Sequence, residues 1–583
     1  MSMNRRRFVV GTAAAATAGA ALVADGCSSL KSLGPLIPNA NGYTLNVGYA
    51  VTNIGGYQLR TRTYNGATAG PTLVATPGST LTVTVNNQLP PNPPQTVPSA
   101  KAGLSVPTYD NADDLMMRKA SGRRLATAPV DPMNNPNHFN TTNLHVHGIQ
   151  TIPHIYDPVG TSNPMAEMIA IEPGQRYTYN FPIPDDHPSG LFWYHPHHHG
   201  ATDVQVAGGM AGLIVVPGPI DQVPEIAAAR EVFMVIQSLQ VNPAASGSGY
   251  EYEPVAYSTG PNAYTGGTAF TMMTVNGEGV LWMNNNTGVN TPLTLPTFTM
   301  QPGEVIRLRL LNGTNGLYLP LLLPGMQCYL IAFDGVNLPA PVPANFNFAG
   351  TVTQFNINAN GTNVLGTSPG NRIELLIQAP STPGTYTMSV APQNGIEFPL
   401  PAFNLAQFVV SGSPVQMAIP KSLPALPRET PIADSEIVAR RTITFHESVA
   451  KPVGFDTLLT GFYPYINDAL FDEMTINYQL TLGSAEEWTI VNGTTCGHPF
   501  HIHVNSFQLM EINGVPLDQP EIWDTFMVPP AQTNYPPNVF DGLTPAGSIK
   551  IRIRFKEWTG KAVFHCHILN HEDTGMMNNI LIS

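Results

Sequence analysis

The chain has 583 residues and a formal charge of -13, with only 26 Lys and Arg. That shortage of cations excludes a nucleic-acid partner, whose phosphates call for clustered Lys and Arg, and favours a neutral or cationic small molecule. Charged residues make up 11 % and hydrophobic ones 43 %, with 52 Gly and 56 Pro, a composition that predicts an all-β chain of short strands and tight turns in roughly two to four domains.

Residues 1–35 read as an export segment. "MNRRRFVV" sets Arg5, Arg6 and Arg7 ahead of Phe8, and an apolar run follows from Val9 to Ala24. The pattern resembles a twin-arginine signal and predicts an exported, periplasmic or secreted protein. A membrane anchor is the alternative, but the run is short and Ala-rich for a span. Cys27, in "ADGCSS", is a candidate lipid acceptor, so an N-terminal lipid tether stands beside a plain cleaved signal. No later stretch approaches ~18 apolar residues, so the mature chain is expected to lack a membrane span.

Alternating or β-branched stretches follow in order at 79–88, 212–218, 303–313, 371–379, 486–493 and 548–555, the period of sandwich or barrel strands. Three of them sit in variants of one phrase, "ATPGSTLTVTVNN", "MQPGEVIRLRLLNG" and "LGSAEEWTIVNG", which predicts three copies of one β domain. Pro-rich joins at 215–225 and 409–427 place these copies at 36–217, 218–412 and 413–583. The first carries an irregular insertion at about 90–140 whose basic tract, 116–126, reads as a solvated loop. Cys328 and Cys496 can pair or remain thiols.

Sixteen histidines placed at random would give roughly 0.4 pairs two residues apart, a composition prior; the sequence has five. They lie in "NLHVHG" (His145, His147), "WYHPHHHG" (His195, His197, with His199 overlapping), "HPFHIHVN" (His501, His503) and "FHCHIL" (His565, His567). Alternate residues of a strand share a face, so each pair presents two imidazoles side by side. Eight imidazoles exceed any usual mononuclear site and predict a multinuclear cluster between the first and last domains, three ligands to each of two ions and two to a third, with the middle domain as a spacer. In "HCH", Cys566 points away from its neighbours and toward a separate site. A thiolate with two imidazoles and a weak thioether suits a blue-copper centre, for which Cys566, His571, Met576 and His498 are the candidates; Met577 is the alternative thioether.

These motifs, in this order, resemble those of a multicopper oxidase of the three-domain bacterial laccase type from about residue 40 onward, with "DDHPSGLFWYHPH", "GGMAGLIVV" and "WDTFMVPP" as supporting phrases. The resemblance implies three consecutive cupredoxin-like Greek-key β-barrels and four copper ions. Type 1 copper falls to His498, Cys566, His571 and Met576, the last favoured over Met577 by its ten-residue offset from Cys566. Type 2 falls to His145 and His501, and the binuclear type 3 pair to His147, His195, His197, His503, His565 and His567. It further implies electron entry at His571, a proton relay through Glu572, with Asp157 a weaker candidate, and a small reducing substrate and dioxygen as partners. Phenols and aromatic amines lead as substrates. The alternatives are a metallo-oxidase acting on cuprous or manganous ion and a non-catalytic exported copper-binding protein, though no ligand is missing. His198 and His199 read as supporting or surface groups, His138, His154, His187 and His446 as isolated polar residues, and the paired methionines as core filling.

Overall fold

The computed structural model describes residues 36, 38, 42–92, 134, 136–252, 268–344, 365–393, 400–426, 428–448, 463–467, 469–531 and 546–583. The export segment, the basic tract 116–126 and most of the 90–140 insertion lie outside the described residues.

Each of three units buries one face of two sheets against each other, as alternating strands require. In the first, strands Tyr43–Ile54, Tyr57–Tyr64, Thr80–Asn87 and Arg176–Pro182 face a four-stranded sheet of Ala69–Val74, Ala211–Val216, Gly190–His195 and His145–His147. In the second, Arg230–Pro243, Val305–Asn312, Arg372–Gln378 and Gln327–Phe333 belong to the same large sheet as the first unit, because Tyr250–Glu251 pairs with both Tyr57–Tyr64 and Arg230–Pro243. The third sets Ile437–Ser448, Ala485–Asn492 and Gly547–Arg554 against Ile476–Leu480, Met577–Ile582, Gly560–Cys566, His498–Ile502 and Thr525–Val528. The fold is all-β, of cupredoxin-like domains. Cys328 lies in a core strand of the second unit and Cys496 in a loop of the third, and no disulfide joins them.

The repeated phrase has one structural meaning in all three units. Its strand runs parallel to the unit's opening strand: Thr80–Asn87 beside Tyr43–Ile54, Val305–Asn312 beside Arg230–Pro243, and Ala485–Asn492 beside Ile437–Ser448. Its closing asparagine staples the turn that follows. Asn87, Asn312 and Asn492 each accept the N–H two residues on, of Leu89, Thr314 and Thr494. Each also donates its amide to two carbonyls, at least one of them distant in the chain: Asn140 and Ile171, Leu317 and Thr367, or Cys496 and Pro529. Asparagine recurs because one short side chain both accepts and donates there.

The first and third units are clamped through Lys561, whose Nζ is fully buried, donates to the carbonyls of Ala166 (2.8 Å) and Glu473 (2.7 Å), and lies 4.0 Å over the Tyr156 ring. This fixes the Gly560–Cys566 strand against the first unit's 155–168 segment. Asn312→Leu removes the amide that the buried Thr367 carbonyl accepts and is expected to destabilise the chain by about 1–3 kcal/mol, read as a lowered urea midpoint.

Candidate metal centre

Two strand pairs build the site. His145–His147 lies antiparallel to Gly190–His195 with His145 opposite His195, and His498–Ile502 lies antiparallel to Gly560–Cys566 with His501 opposite His565 and Phe500 opposite Cys566. Because side chains alternate, His501 and His565 share one face while His498 and Cys566 share the other. The eight imidazoles predicted from spacing converge where the first and third units meet, none more than 3 % exposed. Within His145–His147–His195, His145–His501–His503 and His197–His503–His565, one ring nitrogen per residue lies within 4.8 Å of the others. His567 completes the ring of eight, its centroid 5.0 Å from that of His147 and 5.5 Å from that of His195.

Backbone and carboxylate partners set which nitrogen faces inward. A carbonyl can only accept, so Nδ1–H of His195, His501 and His565 donates to Pro196, Asp524 and Cys566 at 2.8, 2.8 and 3.0 Å, leaving Nε2 with its lone pair. His147 is the reverse: Nε2–H donates to Asp524 at 3.0 Å and Nδ1 is left over. Burial, reinforced by the neighbouring imidazoles, holds these rings well below the usual histidine range, with His195 lowered to about 3 and His565 to about 4. They are therefore neutral and able to ligate. His147 Nδ1, His195 Nε2, His503 Nε2 and both nitrogens of His567 are buried without a hydrogen-bond partner. Each such nitrogen costs about 1–3 kcal/mol, a cost that a bound cation would offset. The donor set, all imidazole, suits copper.

A second group lies behind the same strand. Cys566 Sγ is 3.5 Å from His498 Nδ1 and 3.9 Å from His571 Nδ1. Met576 packs in the third unit's core with Cys566, whereas Met577 faces Tyr156, Met168 and Phe471 in a different cluster, so the two methionines are separated by one pleat. His498 Nε2 is held at 2.9 Å by Thr494 Oγ1. His571 is only 2 % exposed; beside it Glu447, with a side chain 21 % exposed, has Oε1 3.5 Å from His498 Nε2 and 3.6 Å from His571 Nδ1. Burial raises the Glu447 carboxyl to about 7.

Family models described as multicopper oxidase match residues 127–220, 253–411 and 448–583. The chain belongs to the multicopper oxidases. Among curated relatives it is 26 % identical over 419 residues to a multicopper oxidase of Staphylococcus haemolyticus, covering 71 % of this chain and 72 % of that one. It is 24 % identical over 523 residues to a laccase of Haloferax volcanii, covering 88 % and 76 %. A solved multicopper oxidase of Campylobacter jejuni, described as a metallo-oxidase, superposes with a TM-score of 0.62 at 22 % identity, over 94 % of each chain. The oxidase is thus an oxidoreductase that uses dioxygen, and its histidine groups fit the copper its family implies.

Spacing alone left several supporting residues unread. The middle unit of the oxidase is more than a spacer: Arg372, fully buried, binds both oxygens of Asp524, which lies against His147 and His501. Asp334 accepts the backbone N–H of both Arg372 (2.9 Å) and Thr525 (3.1 Å). Asp524 stood in the quoted "WDTF" phrase; Arg372 had no signal beyond a charge opening an apolar strand. His154, read as isolated, lies 2.9 Å from His145. Asp157 is exposed and accepts the Tyr177 hydroxyl at 3.1 Å, away from the histidines. His199 bonds Asn134 and lies tilted against the Phe471 ring, and His187 braces Gln150.

Asp573 Oδ1 accepts the N–H of Gly200 at 2.7 Å, and its Oδ2 accepts that of Asp203 at 2.8 Å, tying the C-terminal motif to the loop after His197. Glu572, beside it, is fully buried with its oxygens 3.3 Å from His197 Nδ1 and 3.2 Å from His565 Nδ1. Arg372→Leu leaves the Asp334 and Asp524 carboxylates without their counter-charge. It is expected to cost about 3–5 kcal/mol, seen as a lowered denaturation midpoint.

Proposed function

We propose that the oxidase is a laccase with four copper ions that oxidises phenols and aromatic amines. His498, Cys566, His571 and Met576 would hold the type 1 ion, His145 and His501 the type 2 ion, and His147, His195, His197, His503, His565 and His567 the type 3 pair. The observation that carries the assignment is the register of two strands, which sets Cys566 and His565 on opposite faces of one segment. Copper bound in these places supplies one-electron uptake at the thiolate site and four-electron reduction of dioxygen to water at the histidine cluster.

The chain's own residues do the rest. Cys566 offers a soft donor in a dry core, and the 565–567 peptide joins the two sites covalently. Glu572 lies behind two cluster imidazoles, and burial, reinforced by Asp573, raises its carboxyl well above the usual range, so it holds a proton beside Nδ1 of His197 and His565. This contact supports Glu572 as a relay of protons toward the cluster. Laccases among the relatives support the phenolic reading. A metallo-oxidase is the second reading, and the carboxylate of Glu447 beside His498 and His571 favours it. Export to the periplasm through the 1–35 segment, with Cys27 as the acceptor of any lipid tether, completes the proposal; the mass of the N-terminal peptide from cells tests it.

Metal analysis is expected to return four coppers per chain. Cys566→Ser is expected to abolish the intense blue absorption while circular dichroism stays unchanged, and a variant that stays blue contradicts the thiolate assignment. Steady-state rates on a substituted phenol and on cuprous ion under air decide the substrate: phenol oxidation is expected to dominate, and phenols that prove inert while cuprous ion turns over overturn the laccase reading.

A further inference from the structure

His154 is buried, stands in the chain between the two histidine motifs of the first unit and belongs to none of the His-x-His pairs. Its ring lies parallel to that of His145, centroids 5.1 Å apart at 14°, and edge-on to Phe181 at 5.1 Å. Its Nδ1 lies 3.0 Å from the carbonyl of Ile152. Since that oxygen can only accept, Nδ1 carries the hydrogen and Nε2 of the neutral ring carries the lone pair. Two groups are aimed at that lone pair, the Val146 N–H at 3.2 Å and His145 Nδ1 at 2.9 Å.

The consequence passes to His145. Facing an acceptor, its Nδ1 must carry the hydrogen, and its own lone pair is turned onto Nε2. That atom lies 3.4 Å from His501 Nε2, which is likewise a lone pair because His501 Nδ1–H is spent on the Asp524 carbonyl. Two lone pairs held nose to nose repel unless a cation lies against both. Each is aimed by a hydrogen bond at the opposite nitrogen of its ring, one from the backbone and one from His154.

We propose that His154 is a positioning residue that locks His145 in the Nδ1–H tautomer and so sets the copper affinity of the His145–His501 pair. The inference rests on the assignment of that pair to a copper ion. Orienting partners of metal-bound histidines typically change affinity by about 10–100-fold when removed, and His154 supplies the acceptor at this ring.

The test uses the full chain with His154→Phe, which keeps a ring but removes the acceptor, and His154→Gln, whose amide oxygen can take the same hydrogen. Copper per chain, the type 2 signal in electron paramagnetic resonance, and titration of the apo protein with cupric ion against a competing chelator are read together. His154→Phe is expected to bind the copper of this pair about 10–100-fold more weakly and to lose most of the type 2 signal, while the blue absorption of the Cys566 site persists and reports a folded third unit. His154→Gln is expected to restore both signal and affinity. Where His154→Phe does not fold, His154→Leu takes its place. Wild-type affinity and a full type 2 signal in the folded Phe or Leu variant overturn the positioning role alone. A wild-type protein that lacks the type 2 signal overturns the assignment of the pair, and the positioning role with it.

Discussion

Everything at the centre of this molecule depends on one antiparallel register, His501 opposite His565 and Phe500 opposite Cys566. A slip of one residue would turn the imidazoles into the third unit's core and the thiol toward the first unit, because side chains alternate with period two. The register is held by apolar packing on the core face, where Phe500, Phe564, Trp488 and Ile502 pack in one cluster with Cys566. The grouping of candidate ligands and hydrophobic burial are thus imposed on the same segment by the same pleat.

The second constraint is electrostatic. Eight imidazoles enclosed together can remain neutral ligands only if each second nitrogen finds a partner that does not compete for the lone pair facing inward. Carbonyls of Pro196, Cys566 and Asp524 do this for three rings, and the Asp524 carboxylate does it in reverse for His147. Asp524 needs a counter-charge at that depth, and the middle unit provides it in Arg372. The middle unit therefore takes part in the site through charge, although it contributes none of the eight imidazoles.

The mononuclear group has a different character. Its thiol and His498 are fully buried, His571 nearly so, and a partly exposed carboxyl, Glu447, lies beside both imidazoles. A resemblance centred on His571 as the entry edge does not bring this carboxylate into view, since Glu447 lies 51 residues before His498 in a strand of ordinary alternating pattern.

The all-β class, the three-fold repetition of one unit and the His-x-His pairs were legible in the chain itself, because strand period, turn residues and ligand spacing are local properties. The recurring asparagine was legible too, though its stapling role appears only when the distant carbonyls it binds are in place. What tertiary structure alone decided is which nitrogen of each ring faces the cluster, which of Met576 and Met577 shares the core with Cys566, and that His154, Asp524, Arg372 and Glu447 lie against the ligands. These outcomes depend on hydrogen bonds and packing between residues up to hundreds of positions apart, and a sequence pattern carries no information about partners it does not place side by side.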